Sequence, residues 1–171
     1  MAYDYIHQEA RRIVRQYGTR DPIRIAKRMG IHVIYDNDFT TLKGMYQIIK
    51  RSRFIILNGN LSDYDRKTVC AHEIGHDRFH RHLARAGALQ EFQLYDMRLR
   101  PEYEANIFAA DLLIDDEEVM SFTGYDYDTV MLAGELGVDI NILLIKLDEM
   151  RRQGYDVSAP YRPQSDFLGK E

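Results

Sequence analysis

Cysteine occurs once in the 171 residues, at Cys70, so an intramolecular disulfide is excluded and a reducing, cytoplasmic setting is expected. No stretch approaches the roughly 18 apolar residues that a membrane helix needs. Met1-Ala2-Tyr3-Asp4 lacks the basic-then-apolar layout of a signal peptide. Internal repeats and low-complexity blocks are missing too. Positive charge is scarce in one region, where residues 115–150 carry ten Asp/Glu against Lys146 alone. DNA affinity rests largely on Lys/Arg contacts to phosphate, so this composition argues against direct nucleic-acid binding there.

What is present is the composition of a globular protein: 45% hydrophobic residues, 29% charged residues and a net charge of −4. The length leaves room for one domain with a real core, expected over residues 1–153 with a helical carboxy-terminal part from about 115. The tail, 154–171, has Pro160, Pro163 and Gly169 but few apolar residues, and is expected to be loosely ordered. Charge is divided unevenly. Residues 1–60 have eleven Lys/Arg and five Asp/Glu, a balance of +6; the remainder has twelve and twenty-two, a balance of −10. The basic third reads as a solvated helix face, because no stacking-aromatic or groove-reading pattern accompanies it.

Apolar spacing predicts an amphipathic helix over 3–17, ended by Gly18. Asp21-Pro22 caps a second helix that stops at Gly30. Short strands are predicted at 32–35, 44–49 and 54–57, the last two joined by the polar turn 50–53. Ser62 and Asp65 form a capping pair that starts a long helix through about His82. Residues 83–100 lack periodicity and read as a loop or extended segment. Pro101 opens a helix to about Ile114, and two or three shorter helices follow over 116–152.

Four of the six histidines (His72, His76, His80 and His82) fall within eleven residues. His72-Glu73-Ile74-Gly75-His76 is a His-Glu-x-x-His pattern inside the long helix. Four residues at about 100° each return His76 to within roughly 40° of His72, one turn along. Two imidazoles so placed can hold one zinc ion from the same side. Glu73 lies beside them, placed to take a proton from water at the metal rather than to bind it.

Geometry narrows the third ligand. His82 would need a bend at position 79, and Phe79 resists the left-handed conformation that such a bend requires. His80 lies about 12 Å along the axis from His72, too far for one ion with bonds near 2 Å. Both are therefore read as exposed or lining the cleft. A second helix offers Glu102 and Glu104. Ala105, Ala109, Leu112 and Leu113 make an apolar stripe that includes Glu102 and Asn106, while Glu104 sits beside Asp111 on the polar side. A carboxylate on a buried stripe is costly unless paired or metal-bound, which selects Glu102. Asn106, one turn further along, can hydrogen-bond the free ring nitrogen of a ligating His. The three alanines Ala105, Ala109 and Ala110 would let the two helices pack closely.

Phe54-Ile55-Ile56-Leu57-Asn58, Ala71-His72-Glu73-Ile74-Gly75-His76 and the run Glu102–Leu113 together resemble the ImmA/IrrE metallopeptidases, over roughly residues 20–150. The resemblance implies an α+β, zincin-like fold: a small sheet beside the active-site helix, a second helix bringing a Glu ligand, and a helical carboxy-terminal region. It also implies zinc, held by His72, His76 and Glu102, with Glu73 as catalytic base. Members often cleave a helix-turn-helix repressor encoded alongside them, relieving repression in mobile elements, prophages or stress responses. The chain departs from the family at Ile114-Asp115, where members often carry Met-Pro.

The expected function is therefore a zinc-dependent endopeptidase acting on a protein substrate, a helix-turn-helix repressor. Two alternatives accompany it: a catalytically silent zinc-fold protein that works by binding a regulator, and a DNA-binding regulator. The segment 133–139 with the apolar helix after it looks somewhat like a helix-turn-helix, but the acidic composition favours a packing module or a surface for a protein partner. Tyr46, Tyr95 and Tyr103 read as packed amphipathic side chains rather than transition-state donors. Cys70, about 200° around the helix from His72, reads as core.

Overall fold

The computed structural model describes residues 3–85, 99–122 and 128–157. Helix α1 (Asp4–Tyr17) buries Ile6, Ala10 and Ile13, and Gly18 closes it in the left-handed conformation with its N–H on Val14 O. The Asp21 carboxylate accepts from the N–H groups of Ile23 and Arg24 at the start of α2 (Pro22–Arg28), as the Asp-Pro pair requires.

Three strands follow: β1 (Ile31–Asp36), β2 (Gly44–Ile49) and β3 (Ser52–Asn58). β3 is central, parallel to β1 and antiparallel to β2. The β2–β3 turn is the two residues Lys50 and Arg51, both at positive φ (47° and 72°), which lets the hairpin follow the strands' twist although neither is glycine. Alternation turns Tyr46, Ile55 and Leu57 inward. The sheet packs against α3 (Asp63–Phe79), and a Cβ on Gly44 would stand 2.5 Å from Val69 Cγ1 of that helix.

Ser62 caps α3 by accepting from Asp65 N at 3.1 Å. The helix ends at Phe79, three residues short of the expected His82. His80 leaves helical geometry at φ −120°, ψ 19°, and a short α4 (Arg81–Arg85) follows. Helix α5 (Arg100–Leu113) has Pro101 in its first turn and packs against α3, α1 and the last helix. Ile114 is buried, and Asp115 caps α6 (Asp116–Ser121) by accepting from Glu117 N, so the turn at the Ile114-Asp115 departure is made by a side-chain cap. The expected loop over 83–100 and the carboxy-terminal tail fall mostly outside the described residues.

Helices α7 (Thr129–Leu136) and α8 (Ile140–Arg152) are joined by Gly137 at φ 60° and by Asp139, which caps α8. This is the segment that looks like a helix-turn-helix. The seven consecutive residues Asn141–Leu147 of α8 are buried, so this stretch is used for packing. The core is built from Ile6, Ile13, Ile74, Ile107, Phe108, Leu112, Ile142 and Leu143. The architecture is α+β: helices with one small sheet, α3 lying between the sheet and α5. No helix of the described residues is long and apolar enough to cross a membrane.

The polar side assigned to α5 does not exist as a solvated face. Glu104 and Asp111 are both buried, because α1 and α8 cover the side turned away from α3. Asp111 receives Lys146 Nζ at 2.6 Å and pairs with His7 Nδ1; His7 also faces Glu149 at 3.5 Å. Lys146 pairs with Asp116 as well. Arg20, part of the basic amino-terminal third, donates to the carbonyls of Asp111 and Leu112 at 2.9 and 3.0 Å, covering the carboxy-terminal end of α5. Cys70 is fully buried, as expected, and burial pushes its thiol well above the usual range.

Candidate metal centre

Two helices bring the ligand-type side chains together. α3 presents His72 and His76 one turn apart; α5 presents Glu102 in its first turn. Their approach depends on Gly75, between the histidines. A Cβ there would stand 2.9 Å from Ala105 Cα and 3.2 Å from its carbonyl oxygen, so a side chain would collide with the backbone of α5. Ala105 is small on the opposing side, in line with the close packing expected of the alanines. Gly75 was legible as a glycine in a helix interior, where glycine costs about 1 kcal/mol relative to alanine unless packing needs it.

His72 Nε2 lies 3.0 Å from His76 Nε2 and 3.1 Å from Glu102 Oε2, and His76 Nε2 lies 3.4 Å from Glu102 Oε1. A tetrahedral ion with bonds of about 2.0–2.1 Å sets its ligand atoms about 3.3 Å apart. These three residues are the group among the described residues that could hold a metal ion, and each is at most 2% exposed. Glu73 is equally buried beside them.

The outer hydrogen bonds agree with this donor set. His72 Nδ1 is 2.8 Å from Asn106 Oδ1, an oxygen that can only accept, so His72 carries a proton on Nδ1. An ion can then replace a proton at Nε2. The Asn106 Nδ2 group is buried with no partner among the described residues. Burial opposes a charge on His72, but the hydrogen bond and negative charge of Glu102 prevail and raise its pKa. Burial pulls His76 down to about 4, with the neighbouring His72 and His80 acting the same way. Glu102 is held well below the usual carboxylate range by hydrogen bonds to both histidines, which overcome the effect of burial.

His80 departs from expectation. It is buried at 4% exposure, with Nδ1 3.1 Å from His76 Nδ1 and Nε2 3.0 Å from Glu104 Oε2. Glu104 Oε1 in turn accepts from Arg100 Nε at 2.7 Å. Spacing put His80 on the face of His76 but could not show its burial, which depends on Glu104 of α5 and on α1 covering that side. His82 is exposed, as expected.

The residue after His76 anchors the site to the sheet. Asp77 is fully buried and accepts from Tyr46 Oη at 2.7 Å, Arg53 Nη1 at 2.9 Å and Arg81 Nη2 at 2.9 Å. Tyr46 is thereby a packed structural donor, and its hydroxyl pKa is raised chiefly by burial. Tyr103 donates to Glu149 at 3.0 Å. Tyr95 lies outside the described residues.

Comparison with known proteins bears on the same segment. The sequence model of the peptidase M78 family, described as the IrrE N-terminal-like domain, matches residues 26–148, which include both helices of the site. A relative from Bacillus phage phi105, "Uncharacterized immunity region protein 2", is 31% identical over 150 residues, covering 87% of this chain and 94% of that protein. With an α+β fold, the His72–His76–Glu102 cluster and a family match over most of its length, the chain belongs to the ImmA/IrrE family of metallopeptidases.

Proposed function

We propose that the protein is a zinc-dependent endopeptidase whose substrate is a helix-turn-helix transcriptional repressor, and that cutting it relieves repression of a mobile element, prophage or stress response. The observation that carries the catalytic reading is the meeting of His72 Nε2, His76 Nε2 and Glu102 at 3.0–3.4 Å with Glu73 buried beside them. The repressor reading is supported by a relative described as an immunity region protein. This reading carries a cytoplasmic location with it, because that is where such a repressor works.

His72, His76 and Glu102 would hold the metal, and two imidazoles with one carboxylate suit zinc. Zinc would supply Lewis acidity and lower the pKa of water to about 7. Glu73 takes a proton from the attacking water as its oxygen bonds to the scissile carbonyl carbon, then delivers a proton to the amide nitrogen as the C–N bond breaks. The buried position of Glu73 strengthens its interaction with that proton.

Glu73→Gln tests this. The amide keeps the shape but cannot accept the proton, so zinc content should stay near that of the wild type while repressor cleavage falls by about 100-fold or more. Undiminished cutting by the zinc-loaded variant sinks the mechanism. A second reading, a zinc-fold protein that docks a regulator without cutting it, is favoured by the near-complete burial of all four residues. It wins if Glu73→Gln still derepresses in cells while cleavage is absent.

A further inference from the structure

His76 needs its Nε2 lone pair free to serve as a ligand, and a neutral imidazole then carries its proton on Nδ1. The atom facing that proton is His80 Nδ1, at 3.1 Å. His80 must accept there, which places its own proton on Nε2, and that nitrogen faces Glu104 Oε2 at 3.0 Å. Glu104 is anchored through its other oxygen by Arg100 at 2.7 Å. Each proton in the row has one direction, set by the carboxylate at the far end. The two ligating histidines are therefore supported differently: His72 by the amide oxygen of Asn106 directly, His76 through an intervening imidazole and a charge.

We propose that His80 is a positioning residue that, together with Glu104, fixes the tautomer and tilt of His76 so that Nε2 is presented to the metal. This rests on the reading of His72, His76 and Glu102 as ligands. The site so described extends beyond the two motif turns to His80 at the end of α3 and to Glu104, two residues past Glu102 on α5. Had α3 continued unbroken, His80 would still lie near the metal face. The departure at φ −120° accompanies the pairing of its ring with both His76 and Glu104.

The experiment measures zinc affinity by competition with a chromogenic chelator and records the visible spectrum of the cobalt(II) form. His80→Phe keeps a flat buried ring but has no acceptor, and should weaken zinc binding about 10- to 100-fold and shift the cobalt bands. His80→Asn places an amide oxygen near the Nδ1 position and should recover at least half of that loss on a logarithmic scale. Glu104→Gln should weaken binding by less than His80→Phe, and reads the far end of the row if Phe at 80 prevents folding. The proposal is overturned if His80→Phe binds zinc as the wild type does. It is overturned too if Asn does no better than Phe, which marks a packing role, or if Glu104→Gln leaves affinity and cobalt spectrum unchanged. A wild-type protein that binds neither zinc nor cobalt removes the ligand assignment itself; wild-type binding with an unaffected His80→Phe removes this proposal alone.

Discussion

Asn106 shows how much one side chain at the site can decide. Its amide oxygen fixes the proton of His72 on Nδ1, while its amide nitrogen is left buried with no partner among the described residues. Asn106→Leu should lower zinc affinity about 10- to 100-fold, checked by chelator competition. Asn106→Asp, which keeps an acceptor, should retain most of it. His72 and His76 were legible from their spacing, and Glu102 and Asn106 from sharing the apolar stripe of a second helix. His80 was not, because a wheel gives a direction from the helix axis and says nothing of what stands there. Its partner Glu104 lies twenty-four positions away on an element whose packing no local pattern encodes.

At the scale of elements, the contact between α3 and α5 is as tight as backbones allow at Gly75. Gly75→Ala sets two effects against each other. Alanine favours a helix by about 1 kcal/mol over glycine, but overpacking against backbone costs about 1–3 kcal/mol. The contact sits below 3.0 Å and the opposing atoms are main chain, so net destabilisation in urea unfolding is expected, together with weaker zinc binding as Glu102 moves away. A variant that is more stable and binds zinc normally would refute this view of the crossing. The boundaries of α1 and β2 and the start of α2 were readable because caps and turn residues act locally: Gly18, Asp21-Pro22 and the polar turn, expected over 50–53 and found at Lys50-Arg51 because β3 already begins at Ser52. α5 was misread on one side because a sequence pattern distinguishes polar from apolar. It does not distinguish water from a buried ionic network, and three helices surround this one.

Across the whole molecule, that network joins α1 to α5 and α8. His7 on α1 is raised to about 9: burial opposes its charge, but Asp111 and Glu149 outweigh that effect. A raised histidine stabilises the fold fully below its unfolded value near 6.5, and the contribution fades as pH rises through about 9. His7→Gln should therefore cost up to about 3 kcal/mol at pH 6 and little at pH 10, measured by urea unfolding at both. Equal losses at the two pH values would show that the charge contributes nothing. The same clamp also imposes an order in time. Asp111 follows His7 by 104 residues, so at about 5–20 residues per second a ribosome needs about 5–20 s to make it. During that interval the first helix, with Ile6, Ala10 and Ile13 on one side, has no partner from α5 or α8. Helix α1 is made well before the helices that seat it, and until they follow the nascent chain presents an apolar face to whatever waits at the ribosome exit.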